Sequence, residues 1–160
     1  MAEEWAFFEG DYVPISEAKV SVKTHALNYG TGAFEGIRGY WNEDDQQMYL
    51  FRVVEHFERL HRSARILRMT LRFSVEELVQ IAINVAARNE YRTDVYIRPV
   101  VYKSTQIVGL GMARRTETRI ESYPHDFFLY AVPFGDYLDA NKPCRGGVSP
   151  WQRIADPMIP

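Results

Sequence analysis

Cysteine is nearly absent. Cys144 is the only one in 160 residues, so no internal disulfide can staple the chain, and the count fits a reducing compartment such as the cytoplasm. Apolar runs are short: none approaches the ~18 residues of a membrane span. The opening Met1-Ala2-Glu3-Glu4 lacks the basic-then-apolar layout of a secretory signal. One-sided charge is missing too, and a net charge of −2 gives no overall pull toward nucleic acid or a membrane. Lysine is scarce, with only Lys19, Lys23, Lys103 and Lys142 against fifteen arginines. Repeats and low-complexity tracts are absent. What is there is ordinary globular material, 46% hydrophobic and 25% charged. At this length roughly 70% of the unfolded surface can be buried, which makes a core without metal or disulfide.

Turn and periodicity signals order that material into an α+β chain. Trp5-Ala6-Phe7-Phe8, then Gly10-Asp11, then Tyr12-Val13-Pro14 reads as a hairpin. Ile37 to Trp41, a polar turn over 42–47, and Met48-Tyr49-Leu50-Phe51 read as another. Val53, Phe57, Leu60, Ala64 and Leu67 form one apolar stripe at helical spacing. Ser74 and Glu77 have capping-box spacing, and Leu78, Ile81, Val85 and Ala86 continue as a second helix. Residues 95–102 read as a strand, and Pro99 inside it predicts a sheet edge or a bulge. Residues 103–126 are polar and irregular, a long loop. Phe127 to Val132 predicts a strand buried on both faces. Pro143, Pro150, Pro157, Pro160 and Gly146-Gly147 make the last stretch a connector. Hairpins, then a helix pair, then strands predict an α+β domain with an antiparallel-rich sheet and two helices.

Most familiar chemistries find no support. His56 and His61 lie five apart on the first predicted helix and face different ways, and no Cys or carboxylate completes a ligand set with them, so no metal is expected. There is no nucleophile elbow, and Cys144 sits in the connector beside Arg145. Gly30-Thr31-Gly32 is half a dinucleotide fingerprint and reads better as a bend that needs small residues. Arginines interleaved with aromatics can stack on RNA, but here the aromatics fall in strand-like runs and acidic residues accompany the basic ones. Arg38 and Arg98 are the residues that stand out, each embedded in an apolar strand. A guanidinium there needs an acidic neighbour or an anionic ligand, and its planar fork suits a carboxylate or phosphate. The residues alone leave both alternatives open.

The run from His25 to Tyr40, His-Ala-Leu-Asn-Tyr-Gly-Thr-Gly-Ala-Phe-Glu-Gly-Ile-Arg-Gly-Tyr, closely resembles the signature of branched-chain amino-acid aminotransferases. These are class IV (fold type IV) pyridoxal-phosphate enzymes. Matching blocks follow in the family's order: Phe51-Arg52 and Glu55 to Ser63, Tyr96-Ile97-Arg98-Pro99, Pro133 to Leu138, and Val148 to Arg153. The resemblance implies the small N-terminal domain of such an enzyme over residues 1–138, with 139–160 as an interdomain connector. It implies pyridoxal 5′-phosphate as cofactor, with Arg59 holding the phosphate. Arg98 is implied to bind the distal carboxylate of glutamate or 2-oxoglutarate, and Tyr96 to help with the α-carboxylate. Phe34, Gly36, Phe134 and Tyr137 would wall the pocket for a Val, Leu or Ile side chain. Tyr29 and the Lys103–Gly111 loop with Val108 would reach a neighbouring subunit, making the protein a homo-oligomer with no nucleic-acid or membrane partner.

The family's Schiff-base lysine follows a Trp-x-Arg and an Ile-Pro pair. Here Trp151-Gln152-Arg153 and Ile159-Pro160 are present, so that lysine is expected beyond Pro160, and none of the four lysines matches it. The isolated 160 residues are therefore expected not to transaminate. A non-catalytic module that dimerises or binds a carboxylate metabolite is the alternative reading of the same fold.

Overall fold

Aromatic pairing closes the first hairpin. In the computed structural model, which describes residues 3–109, 113–115, 120–135 and 142–152, β1 (Trp5–Phe8) pairs with β2 (Asp11–Pro14). Phe7 stands opposite Tyr12 with the rings edge-on at 5.2 Å. Glu9 and Gly10 make the turn with φ of 52° and 121°, the positive values that match the twist of paired strands. A five-residue helix, α1 (His25–Tyr29), ends at Gly30, whose φ of 66° is the left-handed cap that glycine adopts without strain. β3 (Gly32–Phe34) and β4 (Ile37–Asn42) follow. β4 turns into β5 (Gln47–Leu50) over Asn42, whose side chain accepts from the N–H groups of Asp44 and Asp45.

The two expected helices are α2 (Val53–Ile66) and α3 (Val75–Asn89). Phe57, Leu60 and Ala64 are buried on α2, and Leu78, Ile81, Ala82 and Val85 on α3. The Ser74 capping box is formed in both directions: Ser74 Oγ accepts from the Glu77 N–H, and Glu77 Oε2 accepts from the Ser74 N–H at 2.7 Å. Both helices pack on one face of a sheet completed by β6 (Val95–Lys103) and β9 (His125–Pro133). The order is β2-β1-β9-β6-β4-β5, with β3 also on β6, and every pairing is antiparallel. Ile37, Val95, Ile97, Val101 and Leu129 meet the helices in the core.

Pro99 departs from expectation. β6 is a central strand, paired along one side with β9 and along the other with β3 and β4. Nor is there a bulge. Phe34 faces Val100 and Ile37 faces Ile97, so the same register runs through both pairings and no residue is inserted. The missing proline N–H instead leaves a two-residue lapse in the ladder, at Glu35 and Gly36. The Pro99 carbonyl still accepts from the Glu35 N–H at 3.1 Å. The proline is tolerated because its lost donor falls at the junction of two strands.

Three further expectations change. The 103–126 stretch is not all irregular: β7 (Ala113–Arg115) pairs with β8 (Ile120–Ser122), and β9 begins at His125. β9 is not buried on both faces. Phe127, Leu129 and Ala131 are buried against the helices, while Phe128, Tyr130 and Val132 on the other face are half-buried. An alternating antiparallel strand covered on one side accounts for that. Finally, α1 adds a short helix to the two foreseen.

Candidate functional site

The lapse at Glu35–Gly36 places three consecutive residues against three different partners. Phe34, at the end of β3, lies under the Arg98 guanidinium, 4.1 Å from the ring centroid. Gly36 lies under Tyr96: a Cβ there would come within 2.8 Å of Tyr96 Cε2 and closer still to the hydroxyl. No side chain fits without displacing that ring. Tyr96 itself stacks at 4.9 Å from the Arg98 guanidinium and 5.4 Å from the Phe134 ring. Phe34, Gly36, Tyr96, Arg98 and Phe134 are thus brought together on the strand face turned away from the helices. The face is aromatic and carries two arginines, since Arg38, opposite Tyr96 in the pairing of β4 with β6, lies 5.2 Å from the Phe134 ring centroid. Tyr137 lies outside the described residues.

Arg38 and Arg98, indistinguishable in sequence, separate here. Arg38 pairs with Asp94 at 3.5 Å and donates to the Gly135 carbonyl at 3.4 Å. Asp94 is fixed in turn by the Trp41 N–H. Arg98 has no carboxylate among the described residues, and its Nε is buried without a hydrogen-bond partner. A buried donor in that state costs about 1–3 kcal/mol and is the kind of group a ligand can satisfy. Among the described residues its charge is met by the Phe34 and Tyr96 rings.

Glu35 points the other way. It is 5% exposed, and its carboxylate accepts from Arg59 Nε at 2.6 Å, from Arg59 Nη2 at 2.5 Å and from His56 Nδ1 at 2.9 Å. Burial alone would raise this carboxyl, but the hydrogen bonds and charges of Arg59 and His56 outweigh it and hold the group below its ordinary value. The His56 and Arg59 nitrogens approach to 3.2 Å because both serve one acceptor. Arg59 occupies the exposed flank of α2, its side chain 58% exposed, and Nη1 makes no hydrogen bond to a described residue. Neither Glu35 nor His56 has a role in the sequence reading. The available signal is the i, i+3 spacing of His56 and Arg59, which puts both on one side of a helix.

α1 and the loop after β6 form a third group. His25, 1% exposed, donates from Nε2 to the Gly109 carbonyl at 2.7 Å, and its Nδ1 meets the Thr31 hydroxyl at 2.7 Å. The Gly109 N–H donates to the Tyr29 hydroxyl at 3.1 Å. Val108, beside this clamp, is 81% exposed, and Val22, Leu27 and Ile107 are exposed near it in the chain. Tyr29 is thus tied to Gly109, the residue after Val108, and neither Tyr29 nor Val108 has a contact with the Arg98 cluster among those described. Lys103 is fully buried and donates to the Arg68 carbonyl at 3.0 Å. Burial, then the Arg68 charge, lowers its ammonium below the ordinary value. Such a shift often marks a reactive lysine, but an enclosed Nζ tied to the end of α2 is structural.

A profile of the amino-transferase class IV family matches residues 32–154, a range that holds the Phe34–Gly36 junction, Arg59 and Arg98. The chain belongs to the class IV aminotransferase family. It is 43% identical over 158 residues to a probable branched-chain-amino-acid aminotransferase of Aquifex aeolicus, covering 98% of this chain and 48% of that protein. In structure it is similar to the branched-chain aminotransferase of Thermoproteus uzoniensis solved with norvaline, with a TM-score of 0.82 at 35% identity over 99% of this chain and 50% of that one. It is also similar to the branched-chain amino acid aminotransferase of Thermobaculum terrenum solved in its PLP form, with a TM-score of 0.68 at 30% identity over 84% of this chain and 41% of that one. The chain spans about half the length of the curated relatives it matches, and the matched half is their N-terminal part. No helix among the described residues is long and apolar enough to cross a membrane.

Proposed function

We propose that this chain is the substrate-facing part of a branched-chain amino-acid aminotransferase, which moves the amino group of leucine, isoleucine or valine to 2-oxoglutarate. The observation that carries the reading is Arg98, a guanidinium with an unpartnered buried Nε set among Phe34, Tyr96 and Phe134. One pocket must take a hydrocarbon side chain in one half-reaction and a carboxylate in the other. Aromatic walls accept the first, and an arginine with no carboxylate partner among the described residues accepts the second. Gly36 keeps the Tyr96 ring seated so that its hydroxyl can meet the α-carboxylate.

Residues present here fit pyridoxal 5′-phosphate at one point. Arg59, 58% exposed, leaves Nη1 without a hydrogen bond to any described residue while Nε and Nη2 are held, and Nη1 is the donor that a phosphate needs. When bound, the cofactor supplies an electron sink for the substrate amine; the protein's part in this chain is to hold its phosphate and to orient the substrate's carboxylates. Residues 1–138 act as the small domain and 139–160 as the connector, Tyr137 completes the apolar wall, and the protein works in the cytoplasm. Val22, Leu27, Ile107 and Val108, displayed around the His25–Gly109 clamp, meet a second copy.

The deciding experiment measures kcat/KM of the intact protein for 2-oxoglutarate and for leucine after Arg98→Gln. A fall of at least about tenfold confined mainly to the dicarboxylate is expected, and equal losses for both substrates refute the assignment. The 160 residues alone do not transaminate. Borohydride reduction in the presence of pyridoxal phosphate leaves no stoichiometric pyridoxyl-lysine on them, and a stoichiometric label with turnover would overturn that.

A further inference from the structure

We infer that Glu35 is a positioning residue for the phosphate anchor, locking the Arg59 guanidinium in the one orientation that leaves Nη1 directed outward for an anion. The inference rests on the reading of Arg59 given above and goes beyond it, because it assigns the specificity for a phosphorylated cofactor to a buried carboxylate that never touches the ligand.

The geometry is particular. An arginine on a helix flank ordinarily samples many rotamers, and binding then has to order them at about 0.5–1.5 kcal/mol per side chain. Here both oxygens of a nearly inaccessible carboxylate grip the Nε–Nη2 edge in a two-point contact. Only one rotational state of a planar fork satisfies both bonds. His56 holds the second oxygen from the adjacent turn of α2, which fixes the carboxylate as well. Glu35 stands opposite Pro99 on the sheet face that meets the helices, so strand alternation directs its side chain toward α2, while its own N–H is tied to the Pro99 carbonyl. A lysine in place of Arg59 would keep the charge and lose the second contact.

The test compares apo protein titrated with pyridoxal 5′-phosphate and with pyridoxal, followed by absorbance and reported as the ratio of the two dissociation constants. That ratio isolates the phosphate, since a general loosening of the site weakens both ligands together. Glu35→Gln should lower the ratio about tenfold, with Glu35→Asp falling between it and wild type. Arg59→Lys should lower it nearly as far as Arg59→Ala despite the retained charge, and this pair stands in for Glu35→Gln if that variant does not fold. If Arg59→Ala collapses the ratio while Glu35→Gln, or Arg59→Lys in its place, leaves it at the wild-type value, Glu35 is not the positioning residue and the Arg59 reading survives. If Arg59→Ala leaves the ratio unchanged, the phosphate assignment itself fails.

Discussion

Arg59 and Arg98 solve the same problem in opposite ways. Arg59 is exposed along its length but saturated on one edge by a buried carboxylate. Arg98 is more enclosed, yet among the described residues its guanidinium meets ring faces and no carboxylate, and its buried Nε has no partner. A carboxylate orients an arginine and cancels much of its charge; a ring orients it loosely and leaves the charge for something else. The first arrangement suits a ligand group that stays through the catalytic cycle, and the second a carboxylate that comes and goes. Three consecutive residues, Phe34, Glu35 and Gly36, supply both arrangements.

The comparison implies unequal costs for removing each cation. Arg59→Met strands the Glu35 carboxylate with His56 as its remaining partner, and should destabilise the folded protein by about 2–3 kcal/mol, somewhat less than a fully buried pair would. Urea unfolding at neutral pH measures it. A change under about 0.5 kcal/mol would mean that Glu35 is satisfied some other way. Gly36→Ala attacks the ring-held side and should cost about 1–3 kcal/mol, because Tyr96 is trapped between Phe134 and the Arg98 guanidinium and cannot swing aside freely. The same variant should lower kcat/KM for both substrates. Wild-type stability together with wild-type turnover would show that Tyr96 has room that its neighbours do not suggest.

Acid should distinguish the two regions next. The Glu35 carboxyl is held below its ordinary value in the fold, so in acid the unfolded chain takes up a proton there before the native chain does. The contribution is therefore complete above the ordinary carboxylate value and is lost as pH falls through the lower native one. Stability measured from about pH 5 to about pH 3 should drop more steeply in wild type than in Glu35→Gln. Parallel curves would remove Glu35 as an acid-sensitive element. Arg98 has no carboxylate partner among the described residues and should leave the acid limb alone.

Legibility in the sequence follows the range of the interaction. Both long helices can be read from their apolar stripes, and the Ser74–Glu77 cap from spacing, since those signals lie within a few residues. The strand order cannot. Pro99 misleads because the rule about proline in sheets assumes an unbroken neighbour, and nothing near Pro99 says that the facing strand divides at Glu35. Phe127 to Val132 looks doubly buried because aromatic residues on an open face are indistinguishable in sequence from residues in a core. Arg38 and Arg98 look alike until Asp94 is found beside only one of them. The resemblance to branched-chain aminotransferases supplies a role for Arg59, but its partner stands 24 positions away, on the sheet beneath the helix, where no local pattern reaches.

The smallest stability effect is the most informative one. Arg98→Met keeps the length of the side chain and most of its contact with Phe34 and Tyr96. It removes two cation–π contacts, about 0.5–1 kcal/mol each at partly exposed sites, and it also removes a buried donor whose burial costs about 1–3 kcal/mol. The two terms oppose each other, so the unfolding free energy should move by less than about 1 kcal/mol and can rise. Use of 2-oxoglutarate should nevertheless fall by at least about tenfold. Thermal unfolding and half-reaction kinetics on the same preparation separate the two quantities. A residue kept for stability would lose both together, and a loss of more than about 2 kcal/mol would place Arg98 with Arg59 as a structural pair whose partner has been overlooked. Retained stability with a lost dicarboxylate is what an arginine maintained for its ligand must show.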